Sequence, residues 1–216
     1  MKTTNAVILC DGLFPTEPYP LYLLDQADVV VCCDGAFEKF LHRYGDSRVP
    51  DAVIGDMDSL DPELRERYAF LIVRVEEQDD NDQTKAMRYV LGRYPAVEEI
   101  CILGATGLRE DHTVGNLGLL MEYTRLFNLG TRRVSMVSDF GTAFAVTDSC
   151  DLHLGEGRRF SFFTADNSLR VTSEGLQWPL DDVVFDAWWK ATLNRTTSPI
   201  VSLHFSHPTP ALVMVD

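Results

Sequence analysis

The order of apolar segments over the first 140 residues or so restricts the fold of this 216-residue chain more than any other feature. Short, continuous, β-branched runs alternate there with amphipathic stretches, as is typical of strands buried on both faces and the helices between them. The predicted strands are Ala6–Cys10, Asp28–Cys33, Ala52–Ile54, Phe70–Val75, Glu99–Leu103 and Arg133–Val137. The predicted helices are Pro20–Ala27, Phe37–Tyr44, Pro62–Tyr68, Asp82–Tyr94 and Thr113–Phe127. The alternation indicates an α/β fold with a doubly wound parallel sheet.

The pattern changes near residue 140, where short strand-like segments are separated by turns such as Gly155-Glu156-Gly157. The predicted strands of this part are Thr142–Val146, Asp151–Leu154, Arg159–Phe163, Leu169–Val171, Val201–Phe205 and Leu212–Val215. Such spacing is typical of a small antiparallel β-sandwich or barrel. We therefore expect two domains, residues 1–140 and residues 141–216.

The charge and composition of the chain limit the classes of binding partner. The formal net charge of −14 argues against nucleic acid and against anionic membranes. A nucleotide remains compatible with it, because a bound metal ion can reverse the local sign of the charge. No segment approaches the roughly 20 apolar residues of a membrane span. The five cysteines form no Cys-x-x-Cys pair and mostly lie in apolar runs, so we expect free thiols and a cytoplasmic location.

Carboxylates follow two of the predicted strands of the first part. Asp34 comes after the second strand, and Asp56 and Asp58 come after the third. The carboxyl ends of parallel strands meet at one edge of a sheet, where two carboxylates ~4 Å apart repel by about 4 kcal/mol. Mg²⁺ takes oxygen ligands and keeps waters for a phosphate partner, so it relieves that repulsion. If the chain is extended there, Asp56 and Asp58 project to the same side and face one cation.

An acidic segment, Glu76–Asp82, follows the next predicted strand and precedes a helix. Lys85 lies three residues after Asp82, so the two side chains share a helix face. An acid and a lysine at the edge of the sheet are suited to a metal ion and a phosphate. The alternative is a solvated acidic helix start, which the helix dipole favours.

A glycine-containing loop follows the strand Glu99–Leu103 and opens a helix. Gly104 and Gly107 together with the helix N-terminus predict an anion site, and Arg109 offers a planar fork suited to phosphate. The loop lacks the Gly-Lys-Ser/Thr ending of a Walker A motif. The alternatives are a surface ion pair for Arg109 with Asp111 and a helix cap for His112.

These motifs, taken in order, resemble those of the thiamine pyrophosphokinase family. They read Asp34-Gly35-Ala36, then Pro50-Asp51-x-x-Ile54-Gly55-Asp56-x-Asp58-Ser59, then Gln78-Asp79-x-x-Asp82-x-x-Lys85, then Gly107-x-Arg109-x-Asp111-His112-x-x-x-Asn116. The resemblance continues with Gly175-Leu176-Gln177-Trp178-Pro179-Leu180, with Asn194 and with His207-Pro208, and so covers nearly the whole chain.

The resemblance implies an α/β catalytic domain joined to a β-sandwich domain, and a homodimer whose subunits share each active site. It implies transfer of the pyrophosphoryl group of ATP to the hydroxyethyl arm of thiamine, with release of AMP. The implied Mg²⁺ ligands are Asp34, Asp56, Asp58 and Asp82. The implied nucleotide site comprises Asp34, Lys85, Gly104, Gly107, Arg109, Asp111, His112 and Asn116. The implied thiamine site comprises Gln78, Asp82, Asn194 and, as the stacking aromatic, Trp178. The catalytic set is Asp56, Asp58, Asp82 and Lys85.

The chain departs from the family at Leu193, where the family often has a serine, and at Gln177, where a lysine is usual. Other functions remain open on the residues alone. One is a related pterin pyrophosphokinase. Another is a phosphatase that uses Asp56 and Asp58 as nucleophile and acid, and a third is a non-catalytic sensor of a nucleotide or of thiamine.

Overall fold

Parallel strands dominate the first part of the chain in the structure, a computed structural model that describes residues 4–58 and 60–216. The strands are β1 Thr4–Leu9, β2 Val29–Cys33, β3 Ala52–Gly55, β4 Ile72–Arg74, β5 Val97–Leu103 and β6 Arg133–Ser138. Their spatial order is β6-β5-β1-β2-β3-β4, and each neighbouring pair is parallel. The predicted doubly wound parallel sheet is therefore confirmed.

The helices lie close to their predicted positions: α1 Pro18–Asp25, α2 Ala36–Tyr44, α3 Pro62–Arg67, α4 Asp82–Arg93 and α5 Glu110–Leu126. Local caps explain two of these starts. The Asp61 carboxylate accepts the backbone N–H of Glu63 at 2.8 Å before α3, and the Asn81 side chain accepts that of Thr84 at 3.0 Å before α4. Each such cap stabilises its helix by about 1 kcal/mol.

The fourth predicted strand is shorter than expected. Ala69–Leu71 form a 3₁₀ turn, and β4 begins only at Ile72. Within the turn Leu71 is buried, whereas Phe70 is 76% exposed. An apolar run therefore predicted a strand where the chain makes a tight turn with one apolar side chain pointing to solvent.

The residue contacts divide the chain into two units. The first unit runs to Asn116 and includes Gly130–Asp139, and the second comprises Leu117–Leu129 and Phe140–Asp216. Helix α5 thus begins in the first unit and continues in the second. The core of the first unit packs Phe37, Phe40 and Tyr68 against the buried faces of β1, β2 and β3.

The second unit is antiparallel. Its strands are β7 Gly141–Val146, β8 Cys150–His153, β9 Arg159–Thr164, β10 Arg170–Glu174, β11 Val183–Val184, β12 Ala191–Arg195, β13 Ile200–Phe205 and β14 Ala211–Val215. They form the orders β12-β9-β14-β7 and β11-β10-β13-β8. One core containing Phe160, Phe162, Phe185, Leu203 and Val213 takes residues from both sets, as in a β-sandwich.

Two strands of this unit were not predicted. Strand β11 is only two residues long. Strand β12 pairs with β9 through a register shift between Ala191 and Asn194, and Leu193 within it has a left-handed backbone, with φ 61°. A bulged strand loses the alternation on which strand prediction depends.

The register of the parallel strands brings their carboxyl ends level. Leu9 is paired with both Cys32 and Leu103, and Cys33 is paired with Ile54. The segments that follow β1, β2, β3 and β5 therefore start at one edge of the sheet. We call this the carboxyl edge.

Backbone hydrogen bonds join two of these segments closely. The N–H of Gly12 donates to the carbonyl of Gly104 at 2.6 Å, and that of Leu13 donates to the carbonyl of Thr106 at 2.8 Å. A Cβ at Gly104 would lie 2.5 Å from the carbonyl oxygen of Cys10, and Gly104 has φ +64°. Only glycine satisfies both the close approach and the left-handed backbone without strain.

All five cysteines are free thiols. In the described ranges, 4–58 and 60–216, no helix has both the length and the apolar character required to cross a bilayer.

We predict that Gly104→Ala lowers the free energy of unfolding by about 2–3 kcal/mol, because it adds both backbone strain and a clash with Cys10. Urea unfolding measures the effect. Gly92→Ala is the matched control, since Gly92 lies in α4 with no atom within 4 Å of an added Cβ. It should raise stability by about 0.5 kcal/mol. Equal effects of the two substitutions would contradict the proposed constraint.

Candidate functional site

A cavity of about 500 Å³ opens at the carboxyl edge of the first unit. The segments after β1, β2 and β5 and the first turn of α4 enclose it. The chain passes from β1 to β2 on one side and reaches β5 on the other side, so the cavity lies at a topological switch point, the usual ligand site of such sheets. Its lining residues are Cys10, Asp11, Gly12, Cys33, Asp34, Gly35, Asn81, Asp82, Gln83, Gly104, Ala105, Thr106, Leu108, Arg109, His112 and Asn116.

The structure brings two of the predicted aspartates together across Gly55. Asp34 is 5% exposed and Asp82 is half-buried. A Cβ placed on Gly55 would lie 3.0 Å from the Cβ of Asp34 and 3.3 Å from Oδ2 of Asp82. A side chain at position 55 would therefore crowd both aspartates, and Gly55 keeps the space beside them open.

Lys85 supplies a positive charge to this group. Its Nζ lies 3.4 Å from Oδ1 of Asp82, and its side chain is only 4% exposed. Burial raises the pKa of Asp82 above its ordinary value of 3.8, the Lys85 ammonium opposes that shift, and the neighbouring Asp56 charge adds to it. The predicted Asp82–Lys85 pair on one helix face is thus present, with the lysine buried.

The backbone from Asp56 to Asp58 forms a turn, so the expectation of an extended chain there was wrong. Met57 between them is buried and has φ 69°, and the Asp58 N–H donates to Oδ1 of Asp56 at 3.1 Å. A side chain that accepts the N–H two residues later forms a turn and not a strand. Gln78 donates to the other Asp56 oxygen at 3.3 Å, and the two hydrogen bonds hold the pKa of Asp56 below its ordinary value. Asp58 itself is exposed.

The four predicted metal ligands therefore do not form one direct cage. Over residues 4–58 and 60–216, no group of three or more His, Cys, Asp or Glu side chains is placed to hold a metal ion. Asp34, Asp56 and Asp82 adjoin the space around Gly55, whereas Asp58 faces solvent.

The loop after β5 contributes Gly104 and Arg109 to the cavity wall, and the first turns of α5 contribute His112 and Asn116. Asn116 donates to the carbonyl of Ala105 at 2.8 Å. It also accepts from the side chain of Asn81 at 3.0 Å, so it links this loop to the start of α4.

Arg109 forms a surface ion pair with Asp111, which was the alternative to a role in phosphate binding. Its guanidinium donates to both carboxylate oxygens of Asp111, at 2.5 and 3.1 Å, and lowers the pKa of Asp111 to about 2. Asp111 and Gly107 lie beside the cavity without lining it. A Cβ on Gly107 would lie 2.7 Å from the Cβ of Leu13, so the glycine allows these loops to pack.

The sequence patterns did not single out Asp11, which lines the cavity at the end of β1. Its Oδ1 lies 2.7 Å from Nζ of Lys39, and the same Nζ donates to the carbonyl oxygens of Asp11 and Gly12 at 2.8 Å each. Lys39 thus holds the segment after β1 against α2. A usable signal was present, because Cys-Asp-Gly ends both β1 and β2, at residues 10–12 and 33–35.

In the second unit, Asn194 and Trp178 lie together. The Asn194 side chain accepts the Trp178 N–H at 3.2 Å and donates to the Trp178 carbonyl at 2.7 Å. Asn194 is buried, whereas Trp178 is 57% exposed and so does not fill the core of the sandwich. The amide of Asn194 therefore positions the backbone that carries Trp178.

Comparison with known proteins identifies the family. The model of the thiamin pyrophosphokinase catalytic domain matches residues 21–129, and that of the thiamin pyrophosphokinase substrate-binding domain matches residues 141–209. Thiamine pyrophosphokinase 1 of rice, Oryza sativa subsp. japonica, is 30% identical over 186 residues, which cover 74% of this chain and 68% of that protein. The chain belongs to the thiamin pyrophosphokinase family.

Solved structures of this family share the fold. The thiamin pyrophosphokinase of Candida albicans superposes with a TM-score of 0.80 at 16% identity and covers 99% of this chain and 89% of its own. That of Bacillus subtilis has a TM-score of 0.75 at 20% identity and covers 98% of each chain. The family resemblance and the expected fold class are therefore confirmed.

Leu193, one of the two positions at which this chain departs from the family motifs, is exposed. Leu193 is 86% exposed and left-handed, with φ 61°. Trp188 and Trp189 of the same unit are 58% and 57% exposed. The second unit thus presents several large apolar side chains to solvent.

We predict that Lys85→Met raises the pKa of Asp82 further in the metal-free protein, because the opposing ammonium charge is lost. The folded protein then binds the Asp82 proton more tightly than the unfolded chain does. As pH rises from 3.8 through the folded-state pKa of Asp82, the contribution of this residue to the free energy of unfolding therefore decreases. In the variant the folded-state pKa is higher, so this decrease continues to a higher pH. An NMR titration of the carboxyl carbon measures this pKa.

The control is Lys39→Met, which removes a lysine that pairs with Asp11 instead. It should leave the Asp82 titration unchanged. An Asp82 pKa that is unchanged or lowered in Lys85→Met would contradict the electrostatic coupling.

Proposed function

We propose that this chain transfers the pyrophosphoryl group of ATP to the hydroxyethyl group of thiamine, giving thiamine diphosphate and AMP. The observation that carries the proposal is the match of the family's catalytic and substrate-binding domains, in that order, to residues 21–129 and 141–209. A cavity whose wall combines carboxylates with cationic and glycine-loop groups supports it, because phosphoryl transfer depends on positioning and on charge stabilisation.

The nucleotide binds, in this proposal, in the cavity of the first unit. Gly104, Gly107 and the N-terminus of α5 offer a phosphate site, and Lys85 and Arg109 add positive charge. His112 and Asn116 lie on the same wall, and Asp111 orients the Arg109 guanidinium. A phosphate that accepts hydrogen bonds from the Arg109 guanidinium has to displace the Asp111 carboxylate.

Mg²⁺ fits the donor set at this site. It is usually held by one or two carboxylates, with waters and substrate phosphates completing its octahedron, so no cage of three protein ligands is required. Asp34, Asp56 and Asp82 are the residues that would hold it, and Asp58 would act through water. When bound, the ion neutralises charge on the phosphate oxygens.

In this proposal the Asp82 carboxylate receives the proton of the thiamine hydroxyl, and its half-buried position in the cavity wall supports that role. Asp58 is exposed, which makes it the weaker candidate. Gln78 reaches Asp56 and lies on the segment before α4, where it contacts the acceptor in this proposal.

We further propose a homodimer in which the second unit of one subunit completes the thiamine site on the first unit of the other. Thiamine is an aromatic cation, and such ligands favour aromatic faces and carboxylates. Trp178 offers an exposed indole, and large exposed apolar side chains mark interaction surfaces. The five free thiols support a cytoplasmic location.

The comparisons do not favour the pterin pyrophosphokinase, the phosphatase or the sensor. The structure adds a physical argument against the phosphatase. That mechanism needs Asp58 to act as an acid beside an Asp56 nucleophile, yet the turn at Met57 leaves Asp58 exposed.

We predict that the purified protein, given ATP, Mg²⁺ and thiamine, forms AMP and thiamine diphosphate in equal amounts. Asp56→Asn should abolish turnover without unfolding the protein, whereas Asp181→Asn, an exposed carboxylate of the second unit, should not change it. Chromatography of nucleotides and thiamine esters measures both products. Release of ADP with thiamine monophosphate would show stepwise transfer, and phosphate released without an acceptor would indicate a phosphatase.

We predict that mixing Asp82→Asn with Trp178→Ala restores activity, although each variant alone is impaired. In a shared-site heterodimer one site carries both defects and the other carries neither. Random subunit exchange therefore returns about a quarter of wild-type activity. The control mixes Asp56→Asn with Lys85→Met, two substitutions in the first unit. Each site of the heterodimer then carries one of the two substitutions, so no activity should return. No recovery by the first pair, despite proven exchange, would mean that each site lies within one chain.

A further inference from the structure

Two cysteines lie side by side at the carboxyl edge. Cys10 follows β1 and Cys33 ends β2, and the pairing of Leu9 with Cys32 makes the two cysteines neighbours. Their Sγ atoms are 3.9 Å apart. Both residues are buried, and both line the cavity.

Two oxygen atoms lie next to these sulfurs. Oε1 of Gln83 is 3.8 Å from Sγ of Cys10, and the backbone carbonyl oxygen of Asp82 is 3.5 Å from Sγ of Cys33. Gln83 is itself buried, at 3% exposure, in the first turn of α4. Each of the two neighbouring thiols thus has one oxygen close to it, and the two oxygens belong to consecutive residues at the start of α4.

These three separations match three of the six edges of a tetrahedral metal site. Zinc–sulfur bonds of about 2.3 Å place two thiolates about 3.8 Å apart, and a zinc-bound oxygen lies about 3.6 Å from each sulfur. The observed separations of 3.9, 3.8 and 3.5 Å lie within a few tenths of an ångström of these lengths. A disulfide requires sulfurs about 2.05 Å apart, so it needs a movement of nearly 2 Å.

We propose that Cys10 and Cys33 chelate a thiophilic divalent cation, Zn²⁺ or Cd²⁺, with Oε1 of Gln83 and the carbonyl oxygen of Asp82 completing the tetrahedron. On binding, each thiol releases its proton to solvent, and the two thiolates balance the two positive charges. This site is distinct from a Mg²⁺ site, because soft thiolates select zinc-like ions whereas Mg²⁺ requires hard oxygen ligands.

The position of the site predicts an effect on the cavity. The cation would contact the peptide of Asp82, whose side chain lies in the same wall. A bound thiophilic ion would therefore interfere with any ligand of the cavity.

The test titrates the metal-free, reduced full-length protein with Cd²⁺ in the absence of nucleotide. We expect one Cd²⁺ per chain and an ultraviolet thiolate-to-metal charge-transfer band. Cys10→Ser and Cys33→Ser should each remove the band and weaken Cd²⁺ binding by more than tenfold, since even outer-shell changes alter metal affinity by about 10–100-fold. Gln83→Ala keeps both thiols and should weaken binding while retaining the band.

The control is Cys32→Ala, which removes a thiol from the same strand but from the face that packs in the core of the first unit. It should bind Cd²⁺ as the wild type does. Thermal unfolding by circular dichroism confirms that each variant is folded. Absence of the band in the wild-type protein, or its persistence in Cys10→Ser or Cys33→Ser, would overturn the proposal. The result is independent of the proposed kinase activity, because no substrate is present.

Discussion

The parallel register of β1 with both of its neighbours is the constraint on which the rest of the first unit depends. Because Leu9 lies opposite both Cys32 and Leu103, the segments after three strands leave the sheet at one level. The hydrogen bond from the Gly12 N–H to the Gly104 carbonyl joins the segments after β1 and β5, which together form one wall of the cavity. A slip of one residue would turn the side chains of a strand to the other face of the sheet and would separate Cys10 from Cys33.

Electrostatics at the cavity depend on one buried cation. Lys85 is 5% exposed, and burying a lysine is costly unless it is paired. Asp82, at 3.4 Å, is its partner, and Asp56 lies near enough to influence Asp82 in turn. In a chain of net charge −14, the buried lysine offsets part of the carboxylate charge beside the cavity. Arg109 differs, because its guanidinium is already engaged by exposed Asp111.

Hard and soft donors alternate in the sequence at the ends of β1 and β2. A Cys-Asp-Gly sequence occurs at the end of each strand, starting just after β1 and at the last residue of β2, and both the cysteine and the aspartate of each copy line the cavity. Successive side chains of a strand normally point to opposite faces. At the second copy, Asp34 has φ 35°, so the chain leaves the strand conformation directly after Cys33. At the first copy, Cys10 and Asp11 already lie beyond the end of β1 at Leu9, where the alternation of a strand does not apply.

The sequence by itself determined the α/β class, the order of strands and helices in the first part, and six residues of the cavity wall: Asp34, Asp82, Gly104, Arg109, His112 and Asn116. Buried β-branched runs, the Asp61 cap and the placement of Asp34, Asp82 and Arg109 after strands are local signals that persist in the fold. Only the tertiary structure left Asp58 exposed after the left-handed Met57 and bound the Asn194 amide to Trp178. These outcomes rest on single torsions and on contacts between residues distant in sequence, and hydrophobic periodicity and motif spacing carry no information about either.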